Sequence, residues 1–227
     1  ILLVNIVVFS SCVDDNDIFN VGEGNDVVLK LKVQTQANKE VVLGRAEKVD
    51  EEQLLDLHFY VFNGQGKLTG YKTLTNADTP TGTVTIPTKT GTSYVYAVAN
   101  INNLSTYLLD EEDITLLNVT DVTNSTLTRD YFLTIKYKRR PPTENQELSP
   151  SPIPPIFMMS GYLNEGNAVT INSGGNIEGD MDKTIYLYRV LAKNTFNIDL
   201  DNSPGFTPKS YKLRNIPLQG MLVRNAE

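Results

Sequence analysis

Two side chains that often carry chemistry, a cysteine thiol and a histidine imidazole, occur once each among these 227 residues, as Cys12 and His58. One cysteine cannot form an internal disulfide or a cysteine-rich zinc site, and one histidine cannot supply a histidine metal triad. His58 alternates with apolar residues and shares the polar side of its segment with Asp56 and Tyr60. Since no partnered nucleophile is signalled nearby, we expect a solvent-facing strand residue rather than a catalytic base.

Clusters of acidic residues are the other candidates for a site. The run Asp110–Asp113 is interpreted as an acidic helix start that complements the helix dipole, rather than as paired catalytic carboxylates. The alternating acids Glu178, Asp180 and Asp182 lie in a glycine-rich turn, and a calcium site there is an alternative interpretation. We predict no enzyme, no catalytic residue, no resident metal and no cofactor.

The N-terminal stretch resembles a targeting signal. Residues 1–9 are apolar, which is too short for the ~20 residues of a membrane span but fits the core of a signal peptide. Small residues before a lone cysteine resemble a bacterial lipoprotein box, with cleavage between Ser11 and Cys12 and a lipid on Cys12. Phe9 departs from the leucine that such boxes usually carry. The alternative is a free buried cysteine, which the acidic run 14–17 disfavours.

The composition of the chain limits the classes of partner that we expect. The net charge of −7 offers no basic stripe, so nucleic acid is not an expected partner. With 11 Tyr, 8 Phe and no Trp, the aromatic residues suit pleated sheet.

Two strands stand out. Residues 27–35 place Leu29, Leu31 and Val33 on one face, the period-2 pattern of a half-buried strand. A second strand over 55–62 ends at Asn63-Gly64-Gln65-Gly66, a strong hairpin signal.

The remaining segments predict an all-β chain. Further strands are expected at 67–74, 83–86, 93–100, 168–171, 184–200 and 210–217, and one or two short helices within 104–117, with Ser105 as a plausible N-cap. Residues 131–135 are read as a strand or packed turn, 136–140 as a loop, and 141–155 as a proline-rich crossover. We predict a β-sandwich of about seven or eight strands with a short helical excursion.

Several segments in order resemble the fimbrillins of Bacteroidales, which are type V pilins and fimbrial accessory lipoproteins. The matching pieces are Cys12, Tyr60 to Gly66, Tyr94 to Asn100, Met159-Ser160-Gly161, and Arg189 to Lys193. The resemblance implies a transthyretin-like N-terminal β-sandwich over 27–217. It follows a partial signal peptide at 1–11 and an acidic tether at 12–26, and residues 218–227 begin a linker or C-terminal domain. The 141–155 crossover is longer than the family pattern.

The resemblance also implies a function. Such subunits are cut after an arginine by a trypsin-like protease, and Arg45-Ala46 lies where the cut would fall. The first strand, with Leu29, Leu31 and Val33, would then be exchanged for a donor strand from a neighbouring subunit. The expected partners are other fimbrial subunits, the outer membrane through a lipid, and an adhesion ligand on a host or bacterial surface. The expected location is the outer face of the outer membrane.

A second functional class, that of glycan-binding proteins, remains an alternative. The chain is alternatively a surface glycan-binding lipoprotein of an outer-membrane uptake system, in which Tyr60 or Tyr71 would replace the usual tryptophan platform.

Overall fold

The computed structural model describes residues 24–35, 54–75, 83–102, 107–139, 157–190 and 219–223. The strands in chain order are β1 (Asp26–Thr35), β2 (Asp56–Asn63), β3 (Leu68–Thr75), β4 (Thr83–Lys89), β5 (Gly91–Ala99), β6 (Tyr107–Leu108), β7 (Lys136–Arg139), β8 (Met159–Tyr162), β9 (Val169–Ile171), β10 (Thr184–Arg189) and β11 (Gln219–Met221). Two short helices, α1 (Glu111–Leu117) and α2 (Arg129–Thr134), lie between β6 and β7, and a 3-10 turn spans Asn164–Gly166.

Seven strands form one continuous path in the order β3-β2-β5-β8-β10-β1-β4, and β9 pairs with β5. The two ends of this path approach each other, since the hydroxyls of Thr69 on β3 and Thr88 on β4 lie 3.3 Å apart. A Cβ on Gly70 would lie 2.6 Å from the Pro87 carbonyl oxygen, so a glycine is needed at this contact. The sheet therefore curls into a nearly closed β-sandwich, and the predicted all-β class is confirmed.

The interior of the sandwich is filled by alternate residues of every strand in the path. Leu29, Leu31 and Val33 meet side chains from the other strands in one buried apolar cluster, which includes Leu57, Phe59, Val61, Val84, Ile86, Val95, Ala97, Met159, Ile171, Ile185 and Leu187. Pro87 pairs with Val28 on the outer face of β4, which lies at an end of the path, a position where a residue without an N–H is tolerated.

A second apolar layer covers the outer face of β2 and β5. Phe132 of α2 packs against the rings of Tyr60, Phe62 and Tyr96 at centroid distances of 4.9, 5.4 and 5.3 Å. As a result, both faces of β2 are buried. The predicted solvent-facing position of His58 is therefore wrong, since its side chain is 2% exposed.

The segment that builds this second layer also differs from the sequence prediction. Residues 131–135 belong largely to α2 instead of a strand, because Thr128 caps the helix by accepting from the Tyr131 amide at 3.3 Å. The basic run after it is strand β7 rather than a loop, and it pairs with β11 and β6 in a small separate sheet. Local pattern alone does not show a helix this short, because its burial against another element decides it.

Several predicted elements lie outside the described residues. These are Ser105, the crossover 141–155, the strand continuation 191–200 and the strand 210–217. Within the described ranges, no helix has the length and apolar character needed to cross a membrane.

Candidate functional site

Strand β1 lies inside the sheet, between β10 and β4. Its first seven residues, Asp26–Lys32, pair antiparallel with β4, and its last four, Lys32–Thr35, pair parallel with β10. Both sides of the strand thus contribute ladder pairing, but on different halves. Removal of β1 would leave a gap between β10 and β4, which we call the β1 slot.

The inner face of β1 supplies a row of core side chains. Leu29, Leu31 and Val33 are 0%, 1% and 1% exposed. The registered partners on β4, Ile86 and Val84, are also buried, as are Ile185 and Leu187 at the β10 side. At about 25 cal/mol per Å² of apolar surface, complete burial of each aliphatic side chain contributes roughly 1.5–3 kcal/mol. An empty slot would expose Val84, Ile86, Ile185 and Leu187 together with two strand edges.

The N-terminal end of β1 is tied to the start of β5. The Asn25 amide donates to the Thr90 hydroxyl at 2.9 Å, and the Thr90 amide donates to the Asn25 carbonyl at 2.9 Å. Lys89 and Asp26 form an ion pair at 2.7 Å. Because Asp26 is largely solvent-exposed, that pair contributes little, and the two backbone-linked bonds define where the strand begins.

The outer face of β1 is polar and exposed. Lys30, Lys32 and Gln34 point to solvent, as their alternation predicts. Beside them, Asp182 accepts from the Thr184 amide at 3.1 Å and from the Tyr186 hydroxyl at 2.9 Å. Hydrogen bonds from Thr184 and Tyr186, with a smaller effect of the Lys32 charge, lower the pKa of Asp182. This carboxylate orders the start of β10, the strand next to β1.

A buried polar network lies at the other end of the sandwich, around the first residues of β2. Asp56 accepts from the Ile101 amide at 2.8 Å and from His58 Nε2 at 3.1 Å. A carboxylate can only accept, so His58 Nε2 donates to Asp56, and His58 Nδ1 shares a hydrogen bond of 2.7 Å with the Tyr71 hydroxyl. Burial, as the largest cause, raises the pKa of Tyr71 to about 12.

This network is structural in character. Asn100, at a φ of +63°, accepts from the Leu55 amide at 2.8 Å and donates to the Phe157 carbonyl at 2.7 Å. Together, Asp56 and Asn100 hold the segment that enters β2. Every buried side-chain polar atom within the described ranges has a hydrogen-bond partner.

The remaining candidate sites receive little support. Among the described residues, no three His, Cys, Asp or Glu side chains come together where they could hold a metal ion, and this includes Glu178, Asp180 and Asp182. Tyr60 is fully buried, so its assignment as an exposed glycan platform is wrong. Tyr71 is half-buried and is engaged by His58.

The processing residues are not part of this geometry. Ser11, Cys12, Arg45 and Ala46 all lie outside the described residues, so cleavage and lipidation stay predictions. One residue beside the slot was missed at the sequence level, Gly175, which contacts the β1 backbone. The Gly-Gly pair in Asn172-Ser173-Gly174-Gly175-Asn176 predicted a turn but not its contact.

A profile of the family described as "Major fimbrial subunit protein (FimA)" matches residues 26–178. The matched range begins with β1 and ends between β9 and β10. No curated protein matches the chain.

Solved structures with a similar arrangement come from the Bacteroidales. A candidate cell adhesion protein from Parabacteroides distasonis ATCC 8503 is 19% identical, with a TM-score of 0.44, over 74% of this chain and 46% of its own. The tip fimbrial protein Mfa3 from Porphyromonas gingivalis is 17% identical, with a TM-score of 0.40, over 73% and 48%. A fimbrilin (fimA) from P. gingivalis W83 is 16% identical, with a TM-score of 0.42, over 72% and 40%. The chain thus spans less than half the length of these solved proteins.

Proposed function

Because the chain belongs to the family of the major fimbrial subunit protein FimA, a family of structural subunits and not of enzymes, we propose that it assembles into a cell-surface fimbrium by strand exchange. In this proposal, a protease removes β1 by cutting after Arg45, and a strand donated by a neighbouring subunit enters the β1 slot. The assembled fimbrium supports adhesion.

The position of β1 is the observation that carries this proposal. The strand is the first described element, Leu29, Leu31 and Val33 on its inner face are buried, and it lies between β4 and β10 in the sheet. The polypeptide then runs through residues 36–53 before β2 begins. A cut between the two strands would leave β1 held by noncovalent contacts alone.

The physical chemistry favours replacement over permanent loss. An empty slot would expose the apolar side chains that β1 covers, which is costly in water. It would also leave the backbone edges of β4 and β10 unpaired and open to pairing with another chain. An incoming strand with apolar residues at positions i, i+2 and i+4 would restore the buried row and the ladder hydrogen bonds. Donor specificity would therefore follow the spacing of Leu29, Leu31 and Val33.

The distribution of arginines suits a selective cut. Arg45 is the first arginine in the sequence, and the next is Arg129. The Arg129 guanidinium lies 3.7 Å from the centroid of the Tyr94 ring, and its Nε donates to the Tyr96 hydroxyl at 2.9 Å. Because Arg129 is held in folded structure, an arginine-specific protease should cut after Arg45 before it cuts after Arg129.

Limited digestion tests the proposal. The full chain is treated with an arginine-specific protease, and the products are followed by mass spectrometry and by capture of a labelled peptide with the sequence of residues 24–35, which we call the β1 peptide. We expect one early cut after Arg45, followed by capture of the peptide. An Arg45→Gln variant should show neither. Early cutting elsewhere, or a nicked chain that ignores the peptide, would contradict the proposal.

The membrane anchor is a separate part of the proposal. It assigns Cys12 a lipid that holds the subunit on the outer face of the outer membrane until assembly. A palmitate analogue supplied to cells that express the complete gene should label the wild-type protein. It should not label a Cys12→Ala variant, and equal labelling of the two would remove the anchor from the account.

A further inference from the structure

Within the described ranges, no strand pairs with the first half of β1 on its β10 side. Strand β10 pairs only with residues Lys32–Thr35 of β1, so the upstream half depends on β4 for its ladder. The Lys32 amide donates to the Lys183 carbonyl at 3.0 Å, which shows that even-numbered backbone groups of β1 face the β10 side. The Val28 carbonyl therefore points to the β10 side of β1, at a level of the sheet that lies before the first residue of β10.

A glycine turn occupies that place. We define the glycine turn as residues Asn172–Asn176. Its Gly175 is buried at a φ of +70°. A Cβ built on Gly175 would overlap the Val28 carbonyl oxygen and would lie 2.9 Å from the Val28 carbonyl carbon. The turn thus touches the β1 backbone at a distance that no side chain allows.

The glycine turn is rigid enough to act as a wall. The Asn172 side-chain oxygen accepts from the amides of Gly174 and Asn176 at 2.9 and 3.1 Å. The Asn172 amide donates to the Asn176 carbonyl at 2.9 Å, which closes the turn. Ile171 and Ile177 form a β-bridge on either side of it, and both are buried in the same apolar cluster as Leu29.

We propose that the glycine turn is the positioning element for any strand that occupies the β1 slot, with Gly175 as the residue that lets the strand reach full depth. For β1 itself, the proposal is supported by the contact between Gly175 and Val28. For a donor strand, it also rests on the proposed function. The contact is made to backbone atoms, so it acts alike on strands of different sequence. Side-chain pockets select the donor, and the glycine turn sets how closely it seats.

Hydrogen exchange in the intact full chain tests the contact without any strand exchange. In a Gly175→Ala variant we expect the amides of Val27, Leu29 and Leu31, which face β4, to exchange roughly tenfold faster or more. The amides of Tyr96 and Ala97 in β5 should be unchanged and serve as the reference for global unfolding. Gly179→Ala is the matched control, because Gly179 also has a positive φ, +90°, but a Cβ there would meet nothing within 4 Å.

A second variant separates the contact from backbone strain. Asparagine tolerates a positive φ but carries a Cβ, so Gly175→Asn should loosen β1 as alanine does. If both Gly175 variants exchange in β1 no faster than Gly179→Ala, the proposal is overturned. If all amides, including those of β5, accelerate in both variants, the glycine turn supports the whole fold and not the strand in particular, and the proposal is overturned as well.

Peptide capture by the nicked chain extends the test to donors. Gly175→Ala should weaken capture of the β1 peptide and of a peptide with Ile at the Leu29 and Leu31 positions by the same factor. A factor that differs between the two peptides would contradict backbone positioning. If the wild-type chain captures neither peptide, the proposed function fails, while the exchange experiment still decides whether Gly175 positions β1.

Discussion

At the scale of single residues, the inner face of β1 decides how firmly the strand is held. Leu31 lies in the middle of the buried row and pairs with Val84, and it is 1% exposed. Its neighbour Lys30 is on the opposite face, in solvent. Substitutions at these two adjacent positions therefore distinguish the contribution of buried contacts in the β1 slot from a general effect of changing a residue in β1.

We predict that Leu31→Ala lowers the free energy of unfolding by about 2–5 kcal/mol, because it removes buried methyl groups and leaves a cavity. Lys30→Ala should change it by less than about 0.5 kcal/mol. Chemical denaturation of the intact chain measures both. Equal effects of the two substitutions would mean that the β1 slot does not hold the strand through its inner face.

The Asp56, His58 and Tyr71 network gives a second prediction, in alkaline solution. The pKa of Tyr71 is raised from 10.0 to about 12, so folding favours the protonated hydroxyl. The associated stability is fully present below pH 10 and is lost as the pH rises through about 12. Tyr71→Phe should therefore make the unfolding free energy fall less steeply between pH 10 and 12. Tyr188→Phe, at an exposed tyrosine, is the control and should follow the wild-type curve.

At the scale of elements, the strands with clear alternation were predictable and the covering layer was not. The period-2 pattern around Leu29, Leu31 and Val33 located β1 to within one residue, and the Asn63-Gly64 signal located the turn that follows β2. Alternation also suggested a polar outer face for β2. That inference failed at His58 and Tyr60, because a sequence-distant segment covers them and Asp56 and Tyr71 satisfy the imidazole.

The glycine turn shows the same limit. The sequence marks residues 172–176 as a turn, but only tertiary structure shows that Gly175 meets the β1 backbone. Likewise, α2 is a single short helix whose burial of Phe132 stabilises it, and no local period distinguishes it from a strand. The sequence thus predicted the strand that fills the β1 slot, but it did not predict the glycine turn that lies beside that strand.

The covering layer yields a prediction of its own. Phe132 contacts three aromatic rings of β2 and β5 on the face opposite the slot. Phe132→Ala should lower the free energy of unfolding by about 3–5 kcal/mol. Because the residue does not line the slot, the nicked variant should still capture the β1 peptide at a temperature where it is folded. Loss of capture by a folded variant would show that the two apolar layers act as one unit.

At the scale of the whole molecule, the sheet is a nearly closed sandwich in which one strand lies between a parallel and an antiparallel neighbour. The chain belongs to the family of the major fimbrial subunit protein FimA, and a role as a structural subunit of a fimbrium is our proposal. Closure of the sheet gives strand loss a large consequence, because β1 connects β4 to the rest of the path. In the proposed function, proteolysis alone converts the chain into an assembly-competent subunit, without any further chemistry.

A disulfide that locks β1 in place tests this claim most directly. Lys30 and Thr85 are registered partners on the outer face of β1 and β4, and the orientation of the β1 amides makes them a non-hydrogen-bonded pair, the closer kind of antiparallel pair. We combine Lys30→Cys and Thr85→Cys in a Cys12→Ser background, nick the chain after Arg45, and measure capture of the β1 peptide. The account predicts no capture while the disulfide is intact and wild-type capture after reduction. Equal capture by the oxidised and reduced forms would contradict it, since the peptide would then bind without β1 leaving its slot.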